Sequence, residues 1–419
     1  MKIIKSMTHS KDLADLLSGG FVLTLATIIG GALGYVFQML MASKLSQSDF
    51  SQLSALTSLG FILSAPILTF TQIIARNASS LCENSAEMND LLSTSFSQIS
   101  VFNAIISLIF FLNINTIAHY LDIKNFNTLY LFVFFLLITT FTSLNLAIFQ
   151  ALRKFAFLAF LNVGGVILKI ILSLYALSLG FELIGIVSAI FISSLCFWIL
   201  GLLILNHKFG NFFHLKFTSI NFHSIKSSGS VLIANVCFQI MTQFDVIIVN
   251  YLFNEREAAT YIAASILSKA ILYLPGGLVL AMFPIVATQN KDFHASIHIL
   301  IKTSFLALFF CGSLAFALWF LSPYIVSYFL GSDFEGLSDL VGPVSIAFLP
   351  LALILISEHY AIAMKKVVFA WVFIGLAPIQ IITMMIFNDE IINLAICIGF
   401  FGFLSLIIGY GYIFIKIRN

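Results

Sequence analysis

The feature that most constrains this chain is a series of apolar runs, each roughly 20 residues long and almost free of charge. A helix of that length crosses the hydrocarbon core of a bilayer. Strands of a membrane barrel would alternate apolar and polar side chains instead. Because hydrocarbon offers no water to backbone groups, only helices and closed barrels can cross it. The runs therefore predict an all-α polytopic membrane protein.

Composition excludes the other broad classes. Sixty per cent of the residues are hydrophobic and 9% are charged, whereas an ordinary soluble domain has about 25% charged residues. The net charge of +2 gives no sign of a nucleic-acid partner. The chain has no P-loop motif that would bind ATP phosphates, and we expect no cofactor.

We predict twelve transmembrane helices, in two six-helix bundles around a central cavity. The spans lie near residues 20–43, 53–75, 98–118, 129–151, 157–179, 184–206, 228–252, 257–281, 303–322, 341–363, 367–387 and 391–414. Ser-Gly pairs open spans one and seven, at residues 18–19 and 228–229, which indicates a repeat of parallel halves. The predicted parts are a cytoplasmic N-terminal segment 1–19, bundles 20–210 and 228–419, and a cytoplasmic linker 211–227.

Basic residues orient the spans, because cytoplasmic loops carry an excess of lysine and arginine. With the N-terminus in the cytoplasm, fifteen of the 20 basic residues fall on the inside and three, Lys44, Lys124 and Arg256, on the outside. The remaining two, Lys169 and Lys269, lie within spans. This bias predicts that both termini are cytoplasmic.

Lys169 and Lys269 lie near the middle of spans five and eight. An ionisable group there usually faces a cavity or a partner, since burial in lipid costs at least about 2.5 kcal/mol. Asn162 shares a helical face with Lys169, and Tyr273 shares one with Lys269. We therefore predict that the two lysines form an anion site in a water-filled cavity. The alternative is a structural lysine that pairs with a carboxylate or reaches an interface.

Asp245 and Glu358 are the carboxylates within spans. Asp245 lies in span seven among polar side chains that include Asn235 and Gln239, so it could bind a proton or sodium ion for coupling. It could equally form a buried ion pair with Lys269. Glu358 lies near the cytoplasmic end of span ten as a second candidate for ion coupling. Its alternative is a pair with the nearby basic residues 365–366.

Two further basic positions could line a cytoplasmic mouth of the cavity. Arg76 follows span two and Arg153 follows span four. Ordinary anchoring at the cytoplasmic surface explains both as well. His294 and His298 have the spacing of a metal pair, but the segment lacks the glutamate of a zincin and a third ligand, so we predict no metal site.

Four local patterns resemble the Wzx-type oligosaccharide flippases, in the polysaccharide-transporter branch of the MATE/MOP exporter superfamily. They are the turn at residues 41–50, the segment 150–163, the segment 245–261 with Asp245, and residues 282–284. The chain departs from the family pattern at the first turn, where Ser46 and Gln47 replace the usual Gly-Pro and Ser51 replaces a glycine. The resemblance covers nearly the whole chain.

The resemblance implies transport of an undecaprenyl-pyrophosphate-linked oligosaccharide from the cytoplasmic to the outer leaflet of a bacterial inner membrane. It implies alternating access driven by a proton or sodium gradient, a role in O-antigen or capsule synthesis, and polysaccharide polymerases as partners. Lys169 and Lys269 would meet the pyrophosphate. The polar side chains would meet the sugars, and the lipid tail would stay among the membrane lipids.

Two other functions remain open from the sequence. A MATE-type drug or metabolite exporter has the same architecture, and the balanced deep charges, two basic and two acidic, discriminate weakly against it. A membrane-embedded polysaccharide polymerase or glycosyltransferase is the enzymatic alternative. Such enzymes usually carry a large outer loop with catalytic acids or arginines, whereas the longest outer loop here, residues 323–341, contains no arginine. We therefore expect a transporter rather than an enzyme.

Overall fold

The computed structural model describes residues 25–79, 81, 85–210, 222–288, 293–329, 334, 336–364 and 370–416. Every regular element in these ranges is a helix, which confirms the predicted all-α fold class. The predicted N-terminal segment 1–19 lies outside the described residues. Of the predicted linker 211–227, residues 211–221 also lie outside them, whereas residues 222–227 belong to the start of a helix.

The helices follow one another with short connections. In the first part of the chain they are α1 (Leu25–Lys44), α2 (Gln47–Ser79), α3 (Ser85–Leu112), α4 (Ile114–Tyr120), α5 (Phe126–Ala151), α6 (Phe155–Ser178) and α7 (Leu183–Phe209). In the second part they are α8 (Phe222–Leu252), α9 (Glu255–Ser268), a 3₁₀ turn (Lys269–Tyr273), α10 (Leu274–Thr288), α11 (Phe293–Phe329), α12 (Leu337–Ala363), α13 (Ala370–Ile386) and α14 (Ile391–Lys416).

Within the described residues, 11 helical segments are long and apolar enough to cross a membrane. Each overlaps a span predicted from the sequence, although the third begins at Ala86 rather than near residue 98 and ends at Leu112 rather than near residue 118. The eighth consists of α9, the 3₁₀ turn and the first part of α10. The remaining predicted span, near 367–387, corresponds to α13. This apolar helix is shorter than the other eleven, with its apolar part at Trp371–Ile386. The chain is a multi-pass membrane protein.

Contacts between residues divide the chain into two compact units. The first unit takes its described residues from Met1–Gln38, Ile67–His119 and Ile123–Asn221, and the second from Met39–Pro66, Tyr120–Asp122 and Phe222–Asn419. This division follows the predicted halves except at residues 39–66 and 120–122, which group with the second unit. The two six-helix bundles therefore remain a prediction.

In the first unit, α5 packs against α7, α6 and α3. Its core is a cluster of buried side chains, which includes Met88 and Leu92 of α3, Ile148 and Phe149 of α5, and Leu205 of α7. In the second unit, α12 is the central helix and packs against α9, α10, α11 and α14.

The eighth span is interrupted near its middle. Residues Lys269–Tyr273 form a 3₁₀ turn between α9 and α10, and Pro275 is the second residue of α10. Proline has no N–H to donate to the carbonyl four residues earlier, which is that of Ile271. The Cys311 thiol on α11 donates to the Ile271 carbonyl instead, with the sulfur and oxygen 3.7 Å apart. The turn therefore fits inside a packed unit without leaving that carbonyl unpaired.

Candidate functional site

In the second unit, α8 and α9 bring Asp245 and Lys269 together. The Lys269 Nζ lies 3.0 Å from Asp245 Oδ1, and the side chains are 9% and 0% exposed, respectively. Asp245 lies in the interior of α8, and Lys269 begins the 3₁₀ turn that interrupts the eighth span. The two charges form a buried ion pair, which is one of the two alternatives that the sequence left open for Asp245.

Three more polar side chains surround this pair, two in direct hydrogen bonds and one through Gln243. The Ser265 hydroxyl donates to Asp245 Oδ2 at 2.6 Å. The Lys269 ammonium donates to Gln243 Oε1 at 3.3 Å, and the Ser58 hydroxyl reaches the same oxygen at 3.4 Å. We call Ser58, Gln243, Asp245, Ser265 and Lys269 the ion-pair network. Its carboxylate has a donor on each oxygen, which is what a buried charge needs to remain ionised.

Aromatic groups border the ion-pair network. The Lys269 Nζ lies 5.5 Å from the centroid of the Phe348 ring on α12, close enough for a cation–π attraction. Tyr261 lies two turns before Lys269 along α9 and is fully buried. Its hydroxyl lies beside the Asp245 carboxylate, outside the geometry of a standard hydrogen bond. Tyr261 is therefore a further hydroxyl group next to the network.

Lys169, in the first unit, has a different environment from Lys269. Its Nζ lies 4.1 Å from the centroid of the Phe37 ring on α1. The lysine is half-buried on α6, and within the described part of the chain no carboxylate pairs with it. One turn further along α6, Ser173 is fully buried, and its hydroxyl has no partner among the described residues. Within the described residues, Lys169 is thus a span lysine without a carboxylate to neutralise it.

Glu358 is buried on α12 with 2% exposure. Neither of its carboxyl oxygens has a hydrogen-bond partner in the part of the chain that the structure describes. The adjacent His359 ring bonds through Nδ1 to the Leu355 carbonyl. The predicted alternative partners, residues 365–366, lie outside the described residues.

The remaining predicted site residues occupy varied positions. Asn162 on α6 and Asn235 and Gln239 on α8 are half-buried, whereas Tyr273 is 65% exposed. Arg153 is exposed in the turn between α5 and α6, with a φ of 54°. Arg76 belongs to α2, but its side chain lies outside the described part of the structure. Their assignment to a cavity stays a prediction.

Several residues around the two lysines were not predicted as site residues. Phe37, Ser58 and Phe348 are far from the lysines in sequence, and no local pattern marks them as neighbours. Gln243 lies two residues before Asp245, and Ser265 lies one helical turn before Lys269. A search for hydrogen-bonding side chains within a turn or two of each span charge would have found these two.

The sequence profile of a family described as polysaccharide biosynthesis protein matches residues 16–290. That is more than half of the 419 residues. The chain belongs to the polysaccharide biosynthesis protein family. No curated protein sequence is significantly similar to this chain.

Several solved structures of transporters have the same fold as this chain. An inward-facing multidrug resistance MATE family transporter matches with a TM-score of 0.79 and 11% identity, covering 94% of this chain and 98% of its own. The lipid II flippase MurJ in an inward closed conformation matches with a TM-score of 0.73 and 16% identity, covering 95% and 90%. An outward-facing MATE transporter gives 0.70 and 13%, covering 96% and 95%. At these identities the likeness shows the fold.

Proposed function

We propose that this protein is a flippase for lipid-linked oligosaccharides in the synthesis of a surface polysaccharide. The substrate would be an undecaprenyl-pyrophosphate-linked repeat unit of O-antigen or capsule, moved from the cytoplasmic to the outer leaflet of a bacterial inner membrane. Membership of the polysaccharide biosynthesis protein family supports the pathway, and a fold shared with a lipid II flippase supports the kind of transport. The observation that carries the choice of substrate is that Lys169 has no carboxylate partner among the described residues.

Lys169 is suited to a pyrophosphate because its ammonium has no carboxylate partner among the described residues. A phosphate oxygen accepts a charge-assisted hydrogen bond, which is about twice as strong as a neutral one. Lys269 was predicted to share this task. Since its charge is already neutralised by Asp245, Lys269 would contribute little net attraction unless the pair opened. Arg153 is exposed and could supply a further charge at the cytoplasmic side.

A cationic drug or metabolite would need the opposite arrangement of charge. A cavity that takes a cation usually offers a free carboxylate. In this chain the Asp245 carboxylate is engaged by Lys269 and Ser265. Among the described residues Glu358 is a span carboxyl without a partner, and Lys169 is a span cation without a carboxylate partner. The charges alone therefore discriminate weakly, and membership of the polysaccharide biosynthesis protein family favours the anionic substrate over the MATE-type alternative.

Glu358 is the better candidate for the coupling ion, a proton or sodium. Its carboxyl is buried without a hydrogen-bond donor among the described residues, so the ionised form is not stabilised in this conformation. A different affinity for the ion in a second conformation would couple its gradient to transport by alternating access. Asp245, whose charge is already compensated, would then be a structural residue.

The test is deletion of the gene in its native cell, followed by measurement of surface glycan and of lipid-linked intermediates. We expect surface glycan to be lost and full-length lipid-linked repeat units to accumulate in the inner membrane. Accumulation of repeat units already exposed on the outer leaflet would point to a polymerase, and normal glycan with altered drug tolerance would point to a drug exporter. Either result would overturn the proposal.

Complementation with variants of Lys169 tests the role of its charge. We expect Lys169→Ala to reduce surface glycan to about a tenth or less, as the loss of one charge-assisted contact of about 1.5–3 kcal/mol implies. Lys169→Arg should retain more export, because arginine keeps the charge although it binds phosphate with a different geometry. Protein levels in the membrane must be equal. Equal export by the wild type and the alanine variant would contradict the role given to Lys169.

A further inference from the structure

We propose that the Lys269 ammonium fills a binding site for a small monovalent cation, so that this chain supplies with its own side chain what would otherwise be a bound sodium or potassium ion. The site is the ion-pair network, and the Lys269 ammonium occupies the position that a metal ion would take. The inference concerns ion binding by the second unit alone and is independent of the transported substrate.

The groups that meet the ammonium are those that would meet a metal cation. Oxygen ligands suit hard cations, and the Lys269 Nζ is held by one carboxylate oxygen, Asp245 Oδ1, at 3.0 Å and one amide oxygen, Gln243 Oε1, at 3.3 Å. The buried Tyr261 hydroxyl lies beside the Asp245 carboxylate and provides a further oxygen on α9.

The ligands are held in place by groups other than the lysine. Ser265 donates to the second oxygen of Asp245 at 2.6 Å, and Ser58 reaches Gln243 Oε1 at 3.4 Å. Asp245 itself is buried in α8, with 1% exposure. Removal of the ammonium would therefore leave an oxygen-lined site rather than a collapsed one, provided that another cation enters.

Charge balance requires that cation. A carboxylate left alone in a buried site loses several kcal/mol of solvation without compensation. Replacement of Lys269 by an uncharged residue would leave the Asp245 carboxylate beside the Ser265 and Tyr261 hydroxyls with no positive charge. A sodium or potassium ion from solution would restore neutrality and would occupy space vacated by the ammonium group. Lys269→Met keeps most of the unbranched chain while removing the charge, so it isolates this effect.

The experiment measures thermal unfolding of the purified full-length protein in detergent, in sodium, potassium or choline chloride at equal ionic strength. A ligand that binds only the folded state raises the unfolding temperature. We expect Lys269→Met to unfold about 2–4 °C higher in sodium or potassium than in choline, beyond any difference shown by the wild type. The same unfolding temperature for Lys269→Met in all three salts would overturn the proposal.

Two control variants separate this site from other effects. Asp245→Asn/Lys269→Met removes both charges and should lose the cation dependence. Lys169→Met removes a span lysine that has no carboxylate partner and should not acquire it. Cation dependence in either control would overturn the proposal, because it would place the bound ion elsewhere.

Lys269→Met could also fail to fold in the absence of a suitable cation. The measurement is then the yield of folded, monodisperse protein after extraction in each salt. A higher yield in sodium or potassium than in choline supports the proposal. An equally low yield in all salts, while the double variant folds, contradicts it, since the vacant site would then have failed to bind a cation.

Discussion

At the scale of single residues, the two span lysines differ in what neutralises them. Lys269 lies within 3.0 Å of a carboxylate, whereas Lys169 lies against the Phe37 ring. A ring face attracts a cation but does not cancel its charge. The sequence placed both lysines at equivalent depths and suggested equal roles. The structure gives them different neighbours, a carboxylate for Lys269 and, among the described residues, an aromatic ring for Lys169.

Asp245→Asn tests the structural role of the ion pair. The substitution leaves the buried Lys269 ammonium without its counter-charge, and we expect it to lower the free energy of unfolding by roughly 3–5 kcal/mol. Asp245→Asn/Lys269→Gln should recover much of that loss, because it removes both charges. Unfolding in detergent measures both variants. Wild-type stability of the single variant would show that the pair contributes little.

Glu358→Gln tests the proposed coupling site. Glutamine has nearly the shape of a protonated glutamate, so folding should change by less than about 1 kcal/mol. Transport driven by an ion gradient should be lost, while exchange of substrate without a gradient should persist. Glu390→Gln, which alters an exposed carboxylate near the start of α14, is the matched control. Gradient-driven transport by Glu358→Gln at the wild-type rate would remove Glu358 from the coupling mechanism.

At the scale of helices, apolar run length was a sufficient guide to most of the fold. Hydropathy located the 11 described helical segments that are long and apolar enough to cross a membrane, because each run must bury about the same thickness of hydrocarbon. The break in the eighth span was not predicted, although Pro275 marks its neighbourhood. The compensating Cys311 thiol comes from α11, 40 residues away, so a local pattern could not reveal how the turn is accommodated. A still longer separation in sequence, from residue 37 to residue 169, hid Phe37 from Lys169.

Close packing of α11 against α12 gives a prediction at this scale. A Cβ on Gly342 would lie 2.7 Å from the Trp319 ring, so Gly342→Ala must displace that ring. We expect a loss of about 1–3 kcal/mol in the free energy of unfolding. Gly312→Ala on α11 is the control, because a Cβ there has no neighbour within 4 Å. Equal stability of the two variants would contradict this description of the helix contact.

At the scale of the whole molecule, the distribution of basic residues predicts twelve spans with both termini in the cytoplasm. Reporter fusions after residues 210 and 334 test this prediction. The first should report a cytoplasmic position and the second an external one, because lysine and arginine concentrate in the segments assigned to the inside. The reverse pattern, or the same side for both fusions, would contradict the predicted topology.

The central claim is that the protein moves a lipid-linked oligosaccharide across a bilayer. The most direct measurement uses sealed vesicles that contain the purified protein and a labelled undecaprenyl-pyrophosphate oligosaccharide, treated with a glycosidase that cannot cross the membrane. In vesicles without protein, the reaction should stop when the outer leaflet is exhausted, at about half of the substrate. With the wild-type protein it should proceed almost to completion, and with Lys169→Ala it should slow at least about tenfold. A reaction that stops at the protein-free level in the presence of folded wild-type protein would contradict the claim.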